Sequence, residues 1–248
     1  VLVDMANADA DQVAVNFGES PFWPAGTLMR PGDELVENAA LFVRSSTGSD
    51  VAILSIFDKD DEETGERGFS VDPGLISVGP GASDFVFHDE ENVPYLITAN
   101  ATQQEFVFTD IRTHGSFTVD AEGPLSQLFL RDEERGDLTI RQVVGWSPGG
   151  DEVHTVDLDG ISNSIGRKAE HLKVNGGIDD LVVLDNDRLL ISSGSLLYVL
   201  DLAASQVTPL TAKSPYDPRS SALDGDRLLL GTPGQEWISS VDLLALNP

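Results

Sequence analysis

The stretch LLYVLDL, residues 196–202, is a short run of alternating apolar residues that ends on Asp201 between two leucines. A run of this length beside Gly and Ser is typical of a buried β-strand. The same ending occurs as HTVDL at 154–158 and as SSVDL at 239–243, and VFTDI at 107–111 is a close variant. A recurring acidic strand end indicates either a set of catalytic carboxylates or one structural unit copied several times.

The spacing of the copies favours the structural unit. Equivalent marks recur at intervals of 41 to 52 residues, and each closes the second strand of a hairpin. Further strand-like segments lie between the hairpins, so each unit contains about four strands. A four-stranded antiparallel unit of about 40–45 residues is the signature of a β-propeller blade. The six marks are Asn16, Asp58, Asp110, Asp157, Asp201 and Asp242.

Two repeats resemble those of known propellers. The segment WSPGGDEVHTVDLDG, residues 146–160, resembles the WSPDG-type repeat of WD40-like and TolB-like propellers. The segment LLYVLDLAASQVTPL, residues 196–210, is similar to the YVTN-type repeat of surface and lactonase-like propellers. This resemblance implies an architecture and does not by itself transfer an activity.

We therefore predict an all-β chain that forms a β-propeller of four-stranded antiparallel blades. Six blades are visible in the sequence, and the alternative is part of a seven-bladed or larger ring. We predict one domain over residues 1–248, with an irregular connection between the first two blades at about residues 19–38. Three prolines and two glycines in that segment argue against a regular central strand there.

Charge is the strongest global signal in the composition. The chain has 42 acidic and 15 basic residues, which gives a formal net charge of −27. Such a surface repels phosphate backbones, so nucleic-acid binding is not expected. It favours cations and basic patches on protein partners.

The composition also restricts the site chemistry and indicates a location. The chain contains no cysteine, which excludes disulfides, thiolate metal sites and cysteine nucleophiles. No apolar run approaches the ~18 residues that cross a membrane as a helix. Strong acidity, the absence of cysteine and a first residue other than Met together lead us to expect an exported bacterial protein, either extracellular or periplasmic.

The repeated Asp has a structural explanation. An Asp at a strand end accepts hydrogen bonds from backbone N–H groups about two residues further along and so fixes the turn. The letters GWSPG at 145–149 match those of a nucleophile elbow, but that motif needs a strand that turns into a helix. Pro148 and its neighbouring glycines predict a β-turn instead. We therefore assign no catalytic residue, Ser147 included.

Metal sites are the other candidates. In the loop DKDDEETGE at 58–66, Asp58, Asp60 and Glu62 alternate as calcium ligands often do. Glu63 stands where an EF-hand loop needs Gly, so a solvated hairpin loop and a calcium site both stay open. Calcium is the only cofactor that the sequence suggests. The histidines fall in different repeats without zinc-motif spacing, and we expect the tryptophans to pack between blades; these residues are His88, His114, His154, His171, Trp23, Trp146 and Trp237.

These observations favour a non-catalytic binding or scaffold module that presents loops to a protein partner within a larger assembly. The alternative is a lactonase- or glycosidase-like hydrolase that uses carboxylates in a central channel, with calcium as an optional ion. Glycoside chemistry would need two carboxylates about 5–9.5 Å apart.

Overall fold

The structure is a computed structural model in which strands and turns follow one another along the chain. The residues it describes contain no α-helix. None of them forms a helix long and apolar enough to cross a membrane. The described residues are 28–29, 39–44, 50–60, 67–90, 93–135, 138–161, 168–185, 187–213, 220–224, 227–231, 234, 236 and 238–242.

The first two sheets have four strands each, and in both the strands lie in chain order. Neighbouring strands pair antiparallel, as in β3 with β4 and β6 with β7. The strands of the first sheet are β1 Leu28–Met29, β2 Ala39–Arg44, β3 Asp50–Asp60 and β4 Arg67–Ser77. Those of the second sheet are β5 Ala82–Glu90, β6 Val93–Asn100, β7 Glu105–Asp110 and β8 Ser116–Asp120.

The third and fourth sheets repeat this pattern, and three strands of the fifth sheet are described. The third sheet has β9 Gln127–Arg135, β10 Leu138–Trp146, β11 Glu152–Asp157 and β12 Glu170–Lys173. The fourth has β13 Asp180–Val183, β14 Arg188–Ser193, β15 Leu196–Asp201 and β16 Gln206–Lys213. The fifth has β17 Ser220–Asp224, β18 Arg227–Gly231 and β19 Ile238–Asp242.

This succession confirms the predicted all-β fold built from four-stranded antiparallel units. Five of the six predicted hairpins are present, as β2–β3, β6–β7, β10–β11, β14–β15 and β18–β19. The sixth, residues 1–17 with Asn16, lies outside the described residues. The number of blades and the single domain stay predictions.

The predicted irregular connection at about 19–38 contains a strand that the sequence did not reveal. Leu28 and Met29 form β1, which pairs with Leu41 and Ala40 of β2. It is the edge strand of its sheet and only two residues long, between the prolines at 24 and 31. Since proline is tolerated beside edge strands and not within central ones, the argument excluded a central strand correctly but missed a short edge strand.

The chain divides into two compact units, Val1–Thr118 and Val119–Pro248. In the first unit, a cluster of buried apolar side chains joins the first sheet to the second: Val51, Ile76, Val78, Phe85 and Leu96. Aromatic side chains add to the second sheet, where the rings of Phe108 and Phe117 stack at 4.9 Å and Tyr95 meets both edge to face.

In the second unit, the fourth sheet is buried on both faces. Leu189 and Ile191 of β14 belong to a cluster with Trp146 and Val153 of the third sheet. Leu190, which points to the opposite face, clusters with Leu228 of the fifth sheet. Burial on both faces explains why RLLISS reads as a continuous apolar run and not as an apolar–polar alternation.

Leu189→Ala should destabilise this packing. The side chain is 0% exposed, so its removal leaves a cavity, and we expect the free energy of unfolding to fall by about 2–5 kcal/mol. Urea denaturation followed by intrinsic fluorescence measures the change. Leu196→Ala in β15 of the same sheet is the control, because Leu196 is 38% exposed and should cost less than about 1.5 kcal/mol. Equal losses would show that Leu189 does not hold the two sheets together.

Candidate functional site

The two ends of each sheet differ in chemistry. Because consecutive strands run antiparallel, the connections from first to second strand and from third to fourth strand lie at the same end. We call this the acidic end, the end at which β7, β11, β15 and β19 finish. The opposite end, with the connections 147–151 and 174–179, we call the glycine end. The strands named finish on Asp110, Asp157, Asp201 and Asp242.

Acidic residues concentrate at the acidic end. The segments around four first-to-second connections each contain at least two acidic residues: HDEEN at 88–92, DEERGD at 132–137, LDND at 184–187 and LDGD at 223–226. The four second-to-third connections of the same sheets, taken with one flanking strand residue on each side, contain four in all: Glu105, Asp151, Glu152 and Glu236. The repeat therefore places most of its carboxylates at one end of each sheet.

The strand-ending carboxylates fix the turns that follow them. The Asp157 Oδ1 accepts the N–H of Asp159 at 3.0 Å, and the Asp201 Oδ1 accepts the N–H of Ala204 at 2.8 Å. Asp110 accepts the N–H of Arg112 at 2.8 Å. These are the hydrogen bonds that an Asp at a strand end was expected to make.

The residue after each mark explains why an apolar side chain follows the Asp. Its backbone N–H continues the ladder to the second strand of the sheet, and the side chains of Leu158 and Leu202 are buried at 1% and 8% exposure. The bonds are Ile111 N–H to Pro94 O at 3.0 Å, Leu158 N–H to Arg141 O at 2.9 Å and Leu202 N–H to Asp187 O at 2.8 Å. The Asp–apolar pair is thus one structural device, in which the first residue caps the turn and the second anchors it.

Asp110 shows the electrostatic consequence of this capping. Partial burial alone would raise the pKa of its carboxyl group. The hydrogen bonds from the Thr113 hydroxyl and from the amides of Arg112 and Thr113 outweigh burial and hold the pKa below its usual value of 3.8. The carboxylate form is therefore part of the folded turn.

Asp58 departs from the other marks. Strand β3 continues past it to Asp60, so the mark lies two residues before the strand end. Glu62 lies outside the described residues, and a calcium site at Asp58, Asp60 and Glu62 stays a prediction. Among the described residues, no group of three or more acidic or histidine side chains is placed to hold a metal ion.

A buried ion pair at the acidic end was missed by the sequence analysis. The Arg131 side chain of β9 is only 3% exposed, donates to Gln142 at 2.7 Å and pairs with Asp187 before β14. It links the third sheet to the fourth. In the sequence, Arg131 is only one basic residue at an inward position of a strand. Its partner Asp187 lies 56 residues away, so the pair cannot be recognised from local sequence.

Ser147 at the glycine end does not have the surroundings of a nucleophile. Its hydroxyl lies 2.9 Å from the Ser126 hydroxyl. The turn that it begins joins β10 to β11, so a strand and not a helix follows. Backbone bonds between Gly149 N–H and Ile178 O and between Ile178 N–H and Gly150 O, both 2.7 Å, tie this turn to the connection before β13. Pro and Gly thus build a turn, as the sequence predicted.

The expectation that the histidines fall in different repeats is wrong: His88 and His114 belong to the second sheet, and His154 and His171 are direct cross-strand neighbours in the third. His114 lies in an exposed turn with a positive φ of 59°, and His171 is exposed on β12. His88 is almost buried at 9% exposure. His154, at the middle of β11, is 0% exposed and faces Gly123 of the connection before β9. Trp146 packs in the core, whereas Trp23 and Trp237 lie outside the described residues.

Asp201→Ala should remove a turn acceptor. The amide of Ala204 would lose its partner, and we expect the free energy of unfolding to fall by about 0.5–2 kcal/mol. Asp201→Asn is the matched control, because its amide oxygen can still accept the bond at Oδ1. Chemical denaturation of both variants tests this, and equal losses would mean that charge and not the hydrogen bond matters at Asp201.

Gly123→Ala should strain the glycine end. A Cβ there would lie 2.9 Å from the Cε1 atom of His154, and the buried ring has little room to move. We expect a loss of about 1–3 kcal/mol in the free energy of unfolding. Gly115→Ala is the control, since its nearest neighbour is the Thr113 Oγ1 at 3.4 Å. A thermal unfolding midpoint for Gly123→Ala equal to that of the control would contradict close packing on the imidazole.

Comparison with known proteins supports the architecture. No family model matches the sequence, and no curated protein matches it. The structure of apo AztD from Citrobacter koseri is similar with a TM-score of 0.50 and 11% identity, over 92% of this chain and 71% of AztD. Sqt1 from Saccharomyces cerevisiae gives a TM-score of 0.49 and 11% identity, over 86% of this chain and 67% of Sqt1. Another AztD structure from Citrobacter koseri gives a TM-score of 0.48 and 12% identity, over 92% of this chain and 70% of AztD. At this identity the likeness to apo AztD concerns the fold alone, and that fold is of the β-propeller type predicted from the repeat.

Proposed function

We propose that this chain is a non-catalytic binding module of the β-propeller type whose acidic end binds a basic protein partner. The observation that carries the proposal is the unequal distribution of carboxylates along the repeat. Carboxylates gather at the connections of one end, while the connections of the other end consist mainly of Gly, Ser, Pro and amide residues.

Several carboxylates of the acidic end are exposed, and some are fixed in position by the turns that they cap. Asp157, Asp159, Asp224 and Asp242 are exposed. Where an Asp caps a turn, as Asp157 and Asp201 do, one oxygen accepts the backbone amide, and the second oxygen can still accept a hydrogen bond from a Lys or Arg. Carboxylates held in place lose less conformational entropy on binding than free side chains do.

Electrostatics also favours a basic partner. With a net charge of −27, the chain attracts cationic surfaces over the Debye length, which is about 8 Å at physiological salt. Such attraction increases association rates more than it increases affinity, which suits a module that holds a partner within an assembly. The same charge and the absence of cysteine support an exported protein.

The hydrolase alternative has weaker support. It needs two carboxylates set about 5–9.5 Å apart around a substrate. In the described residues, the carboxylates with known contacts serve turns and ion pairs, as Asp110 and Asp185 do. Ser147 has a hydroxyl partner in Ser126 and a turn around it. Binding is therefore the function that this arrangement favours.

A charge-matched pair of variants tests the acidic end. Asp159→Asn with Asp224→Asn removes two exposed carboxylates there, and neither carboxylate caps a turn in the described hydrogen bonds. Because an exposed ion pair contributes about 0.2–1 kcal/mol, affinity for a lysine-rich synthetic peptide should fall by about fivefold. Fluorescence anisotropy at low and physiological salt measures the affinity.

The control changes the same charge at the other end. Asp151→Asn with Glu236→Gln removes two exposed or half-exposed carboxylates from second-to-third connections. Its affinity should stay within about twofold of the unmodified chain, since long-range attraction is screened by salt. Equal losses in the two double variants would show that net charge alone binds the peptide, and the acidic end would lose its assignment.

A further inference from the structure

The side chain of His154 occupies an enclosed position in the third sheet. Its neighbours across the strands are Gly145 of β10 and His171 of β12. Gly145 contributes no side chain beside the ring, and Gly123 of the connection between β8 and β9 lies over it, so closely that a Cβ would meet Cε1 at 2.9 Å and Nε2 at 3.1 Å. Two glycines thus make the space that the imidazole fills, and His154 is 0% exposed.

The imidazole of His154 has few hydrogen-bond partners. Among the described residues, neither ring nitrogen makes a hydrogen bond of good geometry. A buried polar group without a partner typically costs about 1–3 kcal/mol, and burying the charged form of the same group costs more. A buried imidazolium would need a paired counter-charge or water.

The charged groups around the ring come from three elements. Glu152 precedes it on β11, and His171 faces it from β12. On the covering connection, Glu122 is engaged with Lys168, and the Pro124 carbonyl approaches the ring. Near the start of β11, the half-exposed Asp151 pairs with Lys173 at 3.2 Å.

Burial is the largest influence on this histidine. It lowers the pKa of His154 below the usual 6.5, and the positive form of His171 lowers it further. Glu152 and the Pro124 carbonyl act in the opposite direction without overcoming burial. The folded protein therefore holds a neutral imidazole at neutral pH.

The covering connection, residues 121–126, is attached by few bonds. The Ser126 N–H donates to Trp146 O at 2.9 Å, and the Ala169 N–H donates to Asp120 O at 2.9 Å. The Ser126 and Ser147 hydroxyls, the bond from Glu122 N–H to Asp120 Oδ1 at 2.8 Å and the exposed Glu122–Lys168 pair add to these bonds. The side chains of Ala121 and Leu125 are also buried, each at 1% exposure. None of the hydrogen bonds belongs to the ladders of β9–β12, so opening of residues 121–126 leaves the sheet paired but has to expose Leu125, which keeps the opened state rare at neutral pH.

We propose that residues 121–126 form an acid-sensitive cover over His154, which separates from β11 when the imidazole takes up a proton and so exposes the ring to water. The proposal does not depend on the proposed binding function, because it concerns the glycine end of the third sheet.

The direction of the pH dependence follows from the coupling between proton binding and opening. The unfolded or opened state binds the proton more tightly than the closed state, so opening becomes easier as pH falls below about 6.5 and levels off below the lowered pKa of the closed state.

Amide hydrogen exchange at Ser126 reports directly on the cover. After correction for the intrinsic pH dependence of exchange, the rate at Ser126 should increase between pH 7.5 and pH 5. The increase is limited to about tenfold for each pH unit by which burial lowers the pKa of His154. The Leu202 amide, bonded to Asp187 O at the acidic end of the fourth sheet, is the internal reference and should not respond. A Ser126 rate that does not change relative to Leu202 would overturn the proposal.

Two substitutions separate His154 from the other histidines. His154→Leu removes the titrating group at similar volume and should make Ser126 exchange independent of pH, whereas His171→Gln should keep the response of the unmodified chain. If His154→Leu does not fold, the imidazole resonances of His154 in the unmodified chain decide the question. Titration below pH 6.5 in step with Ser126 exchange supports the cover, and titration at or above 6.5 refutes it.

Discussion

The structure depends on burial of both faces of its middle strands. In β14, alternate side chains enter two different apolar clusters, one shared with the third sheet and one with the fifth. A single sheet cannot bury both faces alone, so each copy of the repeat needs a neighbour on either side. This requirement explains why the middle strands are mainly apolar, and most of the charged side chains lie at the strand ends and connections. The chemistry of the chain is therefore divided between buried strands and solvated strand ends.

A net charge of −27 would oppose compaction if the carboxylates lay close to the core. In this repeat, the carboxylate at a strand end lies away from the core and also accepts hydrogen bonds from the backbone of the turn that follows. Asp157 and Asp201 accept backbone amides that water would otherwise have to satisfy, and the leucine after each is buried beneath the turn. Capping and charge presentation are thus performed by the same residue, and the exposed charge at the acidic end costs the fold little stability.

The repeat and the turn-capping Asp residues could be predicted from the sequence, because both depend on local patterns. The Asp–apolar pair recurs because its two hydrogen bonds lie within a few residues and one neighbouring strand, so spacing alone reveals the repeat. Three features could not be read in this way. The edge strand β1 is too short to show a period, the Arg131–Asp187 pair joins residues from different sheets, and the closure over His154 depends on Gly123, which is 31 positions before it in the sequence. Each depends on contacts that only the folded chain creates.

Arg131 and His154 are two buried basic residues of the third sheet, and they differ in whether the buried group has a charged partner. The guanidinium is permanently charged, and it is buried only together with Asp187 and Gln142, which makes the contact between the third and fourth sheets at the acidic end firm. The imidazole can lose its charge, and it is buried with no comparable partner under a connection whose hydrogen bonds lie outside the strand ladders. Arg131 keeps its proton over the pH range in which the proposed opening over His154 is tested. The acidic end is consequently expected to keep its geometry whether or not the cover over His154 opens.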